Sequence, residues 1–384
     1  MREADKRRAA VAAASVFSAA PRTPLIDICR LEYGESLKSE TRTDGKIPVF
    51  GSNGPVGWHD KAVTRGPAIV IGRKGSSGAV NWSSEPCFPI DTTYYVDRTS
   101  KPCELKWLYY ALVALDLPRL EKSSAVPGLN REDVYKQSIL FPSFPLQRRI
   151  AGILDKADRL RRMRRYALEL SDQFLPALFL RMFGDPRLNP HAFATAPAGK
   201  LFDIQLGKML DEKRYTGEHL RPYLGNVNVQ WGRFDLADVK MMDFPPEDFE
   251  KFRLRTGDIL VCEGGEVGRT AIWQDAIRDC CYQKAVHRLR PASDEIRPTY
   301  FQWYMWAAVR TGLVARETST STIGHFTAER FNVFPVILPP AALQDDFVES
   351  VATHHRQQTI HCESLRQAEH LFHSLLNQYF GRED

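Results

Sequence analysis

The stretch LQRRIAGILDKADRLRR, Leu146 to Arg162, follows the proline-flanked FPSFP of residues 141–145. A phrase built the same way returns near the end of the chain as LPPAALQDDFVESVATHHRQQ, residues 338–358. A shift of 197 residues lays 141–184 on 338–381 without a gap, with 8 of the 44 positions identical. The identities cluster at the two ends. Pro142 meets Pro339, Leu146 meets Leu343 and Gln147 meets Gln344, while Leu178 meets Leu375, Phe183 meets Phe380 and Gly184 meets Gly381. Self-similarity over so long a unit implies that one supersecondary arrangement is built twice.

The repeat extends upstream more loosely. GPAIVIGRKGSSGAVNW (66–82) lines up with GDILVCEGGEVGRTAIW (257–273), each a buried apolar strand, a glycine-rich turn and a second strand ending in tryptophan. The glycines of GRKGSSG are expected to serve a tight turn through positive φ. KWLYYAL from Lys106 and YFQWYMWAA from Tyr300 are aromatic-rich helix candidates. LNREDVYKQSILFP (129–142) matches FTAERFNVFPVILP (326–339), a helical turn leading into an apolar strand. Each half therefore reads as a mixed α/β module closed by a long helix.

In the first long helix Leu146, Ile150, Ile153, Ala157, Leu160, Met163, Ala167, Leu170, Phe174 and Leu178 step by three or four, close to a heptad seam. Pro176 should kink or restart it. In the second, Leu343, Phe347, Val351, Leu365, Ala368, Phe372, Leu375 and Tyr379 keep the step, with His354, Gln358 and His361 making the middle polar. A helix of about 38 residues is roughly 57 Å long. Each apolar stripe needs a partner, and the simplest is the other helix, packed antiparallel. Pro176 faces His373 in the repeat, so the two helices need not be equally straight. The stretch DPRLNPHAFATAPAG (185–199), with three prolines, reads as a linker.

A chain of 384 residues allows two domains with their own cores, and 43% apolar with 26% charged residues describes a globular chain. The net charge of +5 and pI near 8.7 are compatible with a nucleic-acid partner. The seven cysteines form no C-x-x-C pair and no zinc-type spacing with histidine, which points to free thiols in a reducing cytoplasm. No apolar run reaches the length of a membrane span. At the N-terminus, MREADKRRAAVAAASVFSAAP imitates a secretory signal, but Glu3 and Asp5 interrupt its basic region and alanine is a weak apolar core. A frayed tail or short helix is expected there.

Catalytic signatures are sparse. GRKGSSG has its glycines in the wrong order for G-x-x-x-x-G-K-[ST] or G-x-G-x-x-G. No Asn/Asp-Pro-Pro-aromatic methyltransferase motif and no Ser or Cys nucleophile signature appears. Asp258, Glu263 and Glu266 are read as a solvated loop rather than a metal site, and His354 and His355 as exposed helix residues. The polar loops suit DNA better, since short polar side chains and backbone N–H groups hold phosphates while Arg, Lys, Asn and Gln read base edges. Candidate contacts in the first half are Asn53, Arg73, Lys74, Ser76 and Ser77. In the second half they are Lys208, Lys213, Arg214, Asn226, Asn228, Arg269, Gln283, Lys284, Thr320 and His325.

From about residue 22 to 381 the chain resembles the specificity (S) subunit of type I restriction-modification enzymes. The residues that carry the resemblance are IPVFGSNGPVG from Ile47, GRKGSSG with FPIDTTYYV from Phe88, and FPLQRRIAGILDKAD from Phe144. In the second half they are RPYLGNVNVQWGRFDL from Arg221, GDILVCEGGEVGRTAIW from Gly257, and LPPAALQDDFVESV from Leu338. The order of these motifs, repeated with the Pro-x-x-x-Leu-Gln helix, is the specific feature. The alanine-rich start has no counterpart, and the basic run RLRRMRRY (159–166) faces RQQTIHCE (356–363) in the second copy, so it reads as a DNA-facing, a solvated or an M-subunit-facing stripe.

The resemblance implies two target recognition domains, each reading half of a split duplex DNA site, with the paired helices as a ruler between them. Half-sites on one face of DNA lie about one turn (~34 Å) apart. It also implies a non-catalytic subunit with no cofactor of its own. Two methyltransferase (M) subunits would bind S-adenosylmethionine, and restriction (R) subunits would add cleavage.

The expected fold is α/β (α+β), a pseudo-two-fold internal repeat of two recognition domains, each followed by a long helix, the helices pairing as an antiparallel coiled coil. Expected boundaries are an N-terminal extension (1–20), a first domain (21–144), a central helix (145–184), a linker (185–199), a second domain (200–340) and a C-terminal helix (341–381). The competing readings are a specificity protein serving a methyltransferase alone, a coiled-coil interaction protein without DNA, and an orphan nuclease.

Overall fold

The computed structural model describes residues 20–120, 128–209, 216–317 and 326–381. The alanine-rich start up to residue 19 lies outside them. The chain divides into two units, residues 1–166 with 362–384, and residues 167–361.

In the first unit, β1 (Arg22–Pro24) and α1 (Leu25–Ile28) precede β2 (Glu32–Tyr33), β3 (Ile47–Gly51), β4 (Gly54–His59), β5 (Ala68–Gly72), β6 (Val80–Ser83), β7 (Phe88–Pro89) and β8 (Thr93–Val96). There follow α2 (Leu105–Ala114), α3 (Arg131–Tyr135), β9 (Ser138–Leu140) and the start of α4 (Phe144–Asp172). The sheets are ordered β2-β8-β5-β6 and β4-β3-β7, with β1 paired to β9. All five residues of β5, AIVIG, are buried, as a short continuous apolar run in a central strand requires. Ile69 and Ile71 pack with Trp107 and Tyr110 of α2, whereas Ala68 and Val70 face Phe50 and Cys87.

The second unit repeats this plan. It holds α5 (Phe174–Phe183), β10 (Ala194–Pro197), α6 (Ala198–Leu201), β11 (Phe202–Leu206), β12 (Leu220–Leu224), β13 (Val229–Gln230), β14 (Arg233–Phe234) and β15 (Lys240–Asp243). Then come α7 (Pro246–Phe252), β16 (Ile259–Cys262), β17 (Thr270–Ile272), β18 (Cys281–Tyr282), β19 (Val286–Pro291), α8 (Pro298–Arg310), α9 (Leu313–Glu317), α10 (Ala328–Val333), β20 (Pro335–Leu338) and the start of α11 (Ala341–Phe380). The orders β11-β19-β16-β17 and β15-β12-β18 match those of the first unit, and β10 pairs β20 as β1 pairs β9. β12 runs parallel to β18 as β3 does to β7. Residues 194–197, inside the expected linker, are therefore strand.

Within the glycine-rich hairpins the correspondence is one residue off the alignment read from sequence. Ile69 pairs with Trp82 and Ile259 with Ile272, so Trp82 corresponds to Ile272 and not to Trp273. A one-residue slip moves a side chain to the other face of a sheet. Trp82 accordingly lies beside Tyr109 with the Lys106 ammonium 4.1 Å over its ring, whereas Trp273 is fully buried against Phe234.

The repeated Leu-Gln has a structural cause. Gln147 and Gln344 are fully buried. The Oε1 of Gln147 accepts the backbone N–H of Glu104, the N-cap of α2, at 2.9 Å, and its Nε2 donates to the Pro142 carbonyl at 2.9 Å. Gln344 accepts the N–H of Arg297, the N-cap of α8, at 2.9 Å, and donates to the carbonyls of Pro339 and Glu295 at 2.9 Å each. Neither N-cap residue uses its own side chain as a cap, so the glutamine supplies an acceptor that the helix end lacks.

In the first unit the start of α4 runs antiparallel to the end of α11. The Arg161 guanidinium lies 4.0 Å over the Phe372 ring, and Arg165 bonds Glu369 at 2.7 Å. In the second unit Phe179 and Phe183 pack on Phe347 near the start of α11, while Asp172 accepts from Gln358 at 2.7 Å. Each unit is thus closed by the start of one helix and the end of the other, not by its own helix alone.

The expected seam holds only in part. Leu160, Met163, Leu170 and Phe174 are exposed, Met163 by 63%. An α-helix drifts about 20° per heptad against a strict repeat, so the buried set of α4 becomes Gln147, Ile150, Ala151, Leu154, Ala157 and Asp158. Polar pairs take over towards the middle. His354, read from sequence as exposed, is buried there with its Nε2 2.8 Å from the Ser171 carbonyl. The break between α4 and α5 falls where Pro176 lacks the N–H that would reach Asp172, and α11 runs unbroken through His373.

Gln344→Leu would leave the Arg297 N–H and two carbonyls without their partner, at about 1–3 kcal/mol per buried polar group. Three such groups put the expected loss in chemical denaturation at about 3 kcal/mol or more. A variant as stable as the parent would mean that the glutamine bonds are replaced at no cost.

Candidate nucleic-acid interface

Four segments are joined in each unit by the same hydrogen bonds. In the first unit the N–H of Ile90 donates to Phe50 at 2.9 Å, that of Glu35 to Pro89 at 3.0 Å and that of Arg73 to Thr92 at 2.9 Å. In the second the N–H of Gln283 donates to Leu224 at 2.9 Å, that of Lys208 to Tyr282 at 3.2 Å and that of Glu263 to Ala285 at 2.9 Å. The glycine-rich turn is closed by Gly78 N–H to Gly72 (2.8 Å) and by Gly268 N–H to Cys262 (3.0 Å). Gly78 and Gly268 have φ of +80° and +83°, and a Cβ on Gly78 would stand 2.4 Å from the Pro118 nitrogen. Glycine at this turn is therefore a steric requirement.

The candidate residues sort into those that hold these loops and those that face outward. Arg73 is half-buried, its Nη2 on the Asp91 carbonyl at 2.7 Å and its guanidinium 5.3 Å over the Tyr33 ring. Ser77 is buried. Lys208 is tied to the Asp243 carbonyl at 2.6 Å and to the Asp248 carboxylate at 2.8 Å. Asn228 is buried, accepting from Gly225 and donating to the carbonyls of Asp235 and Asp238. Arg269 bonds the Asn226 carbonyl at 2.6 Å and Glu266 at 3.0 Å. The side chains of Arg73, Lys208, Asn228 and Arg269 shape the loops from behind, whereas the buried Ser77 hydroxyl has no hydrogen-bond partner among the described residues.

Asn53, Lys74, Ser76 and Lys284 are exposed and Gln283 half-buried, and no side-chain hydrogen bond or ion pair joins them to the described residues. Asn226 is half-buried with its amide 3.5 Å from the Gly264 carbonyl. Lys213, Arg214, Thr320 and His325 lie outside the described residues.

Some features escaped the sequence. Where the first unit turns from β3 to β4 through Ser52 and Asn53, the second inserts residues 225–239 with the β13–β14 hairpin. Ser52 is a buried tie whose Oγ donates to the Thr92 carbonyl at 2.8 Å. Asp91 and Lys284 occupy one position and are both exposed, and only the hydrogen-bond register brings them into line. Asp258 is no solvated loop residue. It is buried and paired with Arg290 at 2.6 Å. All seven cysteines are free thiols. No helix among the described residues is long and apolar enough to cross a membrane.

A family model for the type I restriction modification DNA specificity domain matches residues 23–169 and again 193–370. The EcoprrI type I restriction enzyme specificity subunit of Escherichia coli is 27% identical over 145 residues, which is 36% of this chain and 36% of that protein's length. The S subunit of a type I restriction-modification system from M. genitalium superposes with a TM-score of 0.60 at 17% identity, over 95% of this chain and 96% of its own. A chain from a structural study of type I system assembly and conformational transition gives 0.58 at 15% identity, over 94% and 97%. At these identities the two structures speak for the fold alone.

Asp243 provides a pH test of how the second cluster is held. The Thr216 hydroxyl at 2.7 Å, with the N–H groups of Thr216, Gly217 and His219, holds its carboxyl down at about 2 against an ordinary 3.8. A depressed carboxyl adds stability above its unfolded value and loses it as pH falls through the folded one. Asp243→Asn should therefore flatten the acid loss of stability between pH 3.8 and about 2, read by denaturant melts at each pH. An acid limb identical to that of the parent protein would contradict this.

Proposed function

Because the chain belongs to the type I restriction modification DNA specificity domain family, we propose that it is the DNA sequence-specificity subunit of a type I restriction-modification complex. Each unit reads half of a split duplex site through its loop cluster. The recognition domains span 21–144 and 200–340, with the helices of 145–184 and 341–381 as the spacer between them. The observation that carries this is one backbone scaffold built twice with different outward side chains. A symmetric binder of one repeated sequence would need like side chains at like positions. A reader of two different half-sites needs unlike ones.

Asn53, Lys74 and Ser76 face one half-site. Asn226, Gln283 and Lys284 face the other, joined by Lys213, Arg214, Thr320 and His325. Lys and Ser contact phosphates, and Asn and Gln can bond base edges bidentately. Arg73, Lys208, Asn228 and Arg269 act behind them by fixing the loops, and Ser77 packs buried within its turn. The chain itself performs no catalysis. Two methyltransferase subunits bring S-adenosylmethionine to the site and restriction subunits add cleavage, all in the cytoplasm where the host's DNA lies.

Base-modification sequencing of the host genome, with the gene present and deleted, tests this. A split motif should carry a methylated base only when the gene is present. An unchanged methylome, also after co-expression with the neighbouring methyltransferase, would contradict the reading.

A further inference from the structure

The two clusters differ in charge where their backbones agree best. Ile90 and Gln283 hold one position, since the N–H of each donates to the last apolar strand residue beside it, Phe50 or Leu224, at 2.9 Å. The carbonyl of each accepts the N–H three residues on, from Thr93 at 2.9 Å and Val286 at 3.0 Å. The following residue is Asp91 in the first unit and Lys284 in the second, both exposed. Neither side chain has an ion-pair partner among the described residues. Arg73 bonds the backbone carbonyl of Asp91, not its carboxylate.

We infer that the pairs Ile90–Asp91 and Gln283–Lys284 determine which base pairs the two units accept. This rests on the bipartite reading proposed above. An exposed carboxylate on a surface that meets phosphates is repelled by them. It becomes favourable there only by accepting a hydrogen bond from a base, and the cytosine N4 amino group in the major groove is that donor. Ile90 beside it offers the apolar contact that a thymine methyl fits. Lys284 at the same place is a donor suited to guanine O6 and N7, and Gln283 can bond adenine N6 and N7 together. The first unit thus accepts a donor or methyl at this position, and the second a purine edge, guanine through O6 and N7 or adenine through N6 and N7. The pinned Arg73 keeps the Asp91 loop in place, as the Gln283 N–H to Leu224 bond does for Lys284.

The test uses the full chain with its partner methyltransferase in the host and reads both half-sites by base-modification sequencing. The variants are Asp91→Ala, Asp91→Lys and Lys284→Asp. Asp91→Ala should relax one base pair of one half-site by about tenfold or more, in line with the cost of a lost base contact, and leave the other half-site unchanged. Asp91→Lys should shift the same position, and Lys284→Asp should change only the other half-site. Both half-sites intact in all three variants would overturn the inference. So would complete silence of Asp91→Ala, because removing one base contact must relax a position rather than abolish the site. Absence of any split motif with the unaltered chain would be a different result, since it removes the bipartite reading itself.

Discussion

The fold depends on an amide that can do two things at once. Gln147 and Gln344 each accept the N–H at the head of an aromatic helix and donate to the proline carbonyl that opens a long one. A glutamate could not donate, a leucine could do neither, and an asparagine is a methylene shorter. Because both glutamines are fully buried, water offers no substitute. The bond fixes α2 or α8 against the start of the long helix. Trp107 and Tyr110 of α2, with Tyr300, Phe301 and Tyr304 of α8, then fix the helix on the central strand of its sheet. The loop cluster hangs on the ends of those same strands.

Holding the loops and facing outward fall to different residues. The two arginines that look from sequence like DNA contacts, Arg73 and Arg269, spend their guanidinium groups on backbone carbonyls. Asn228 spends its whole amide on its own loop. With those bonds made internally, the outward side chains can differ between the units without disturbing the backbone. That separation lets one scaffold carry two chemistries, a carboxylate at Asp91 and an ammonium at Lys284.

Much of this was legible in sequence because it is periodic. The runs AIVIG and ILVC announce central strands, the aromatic helices announce themselves by composition, and the gapless repeat across Leu-Gln announces two copies. Pro176 marks the break that His373 lacks. What stayed hidden has physical causes. Matching both tryptophans was an attractive alignment, yet the pleat alternates with period two, and a slip of one residue placed Trp82 and Trp273 on opposite faces. The heptad pattern ran past the point where packing supports it, leaving Met163 exposed. Asp258 looked solvated because its partner Arg290 is distant in sequence. Asp91 lies between two hydrophobic stretches and became visible only through hydrogen bonds that align it with Lys284.

The most direct measurement is a dimethyl sulfate protection footprint, read on both strands, of the full chain bound with its methyltransferase partner on duplex DNA carrying its site. Two readers on one chain require two separate stretches of base-specific protection, each with its own sequence, with sequence-indifferent DNA between them. One continuous sequence-specific stretch, or protection that moves freely along the duplex, would show that the repeated scaffold does not read two half-sites.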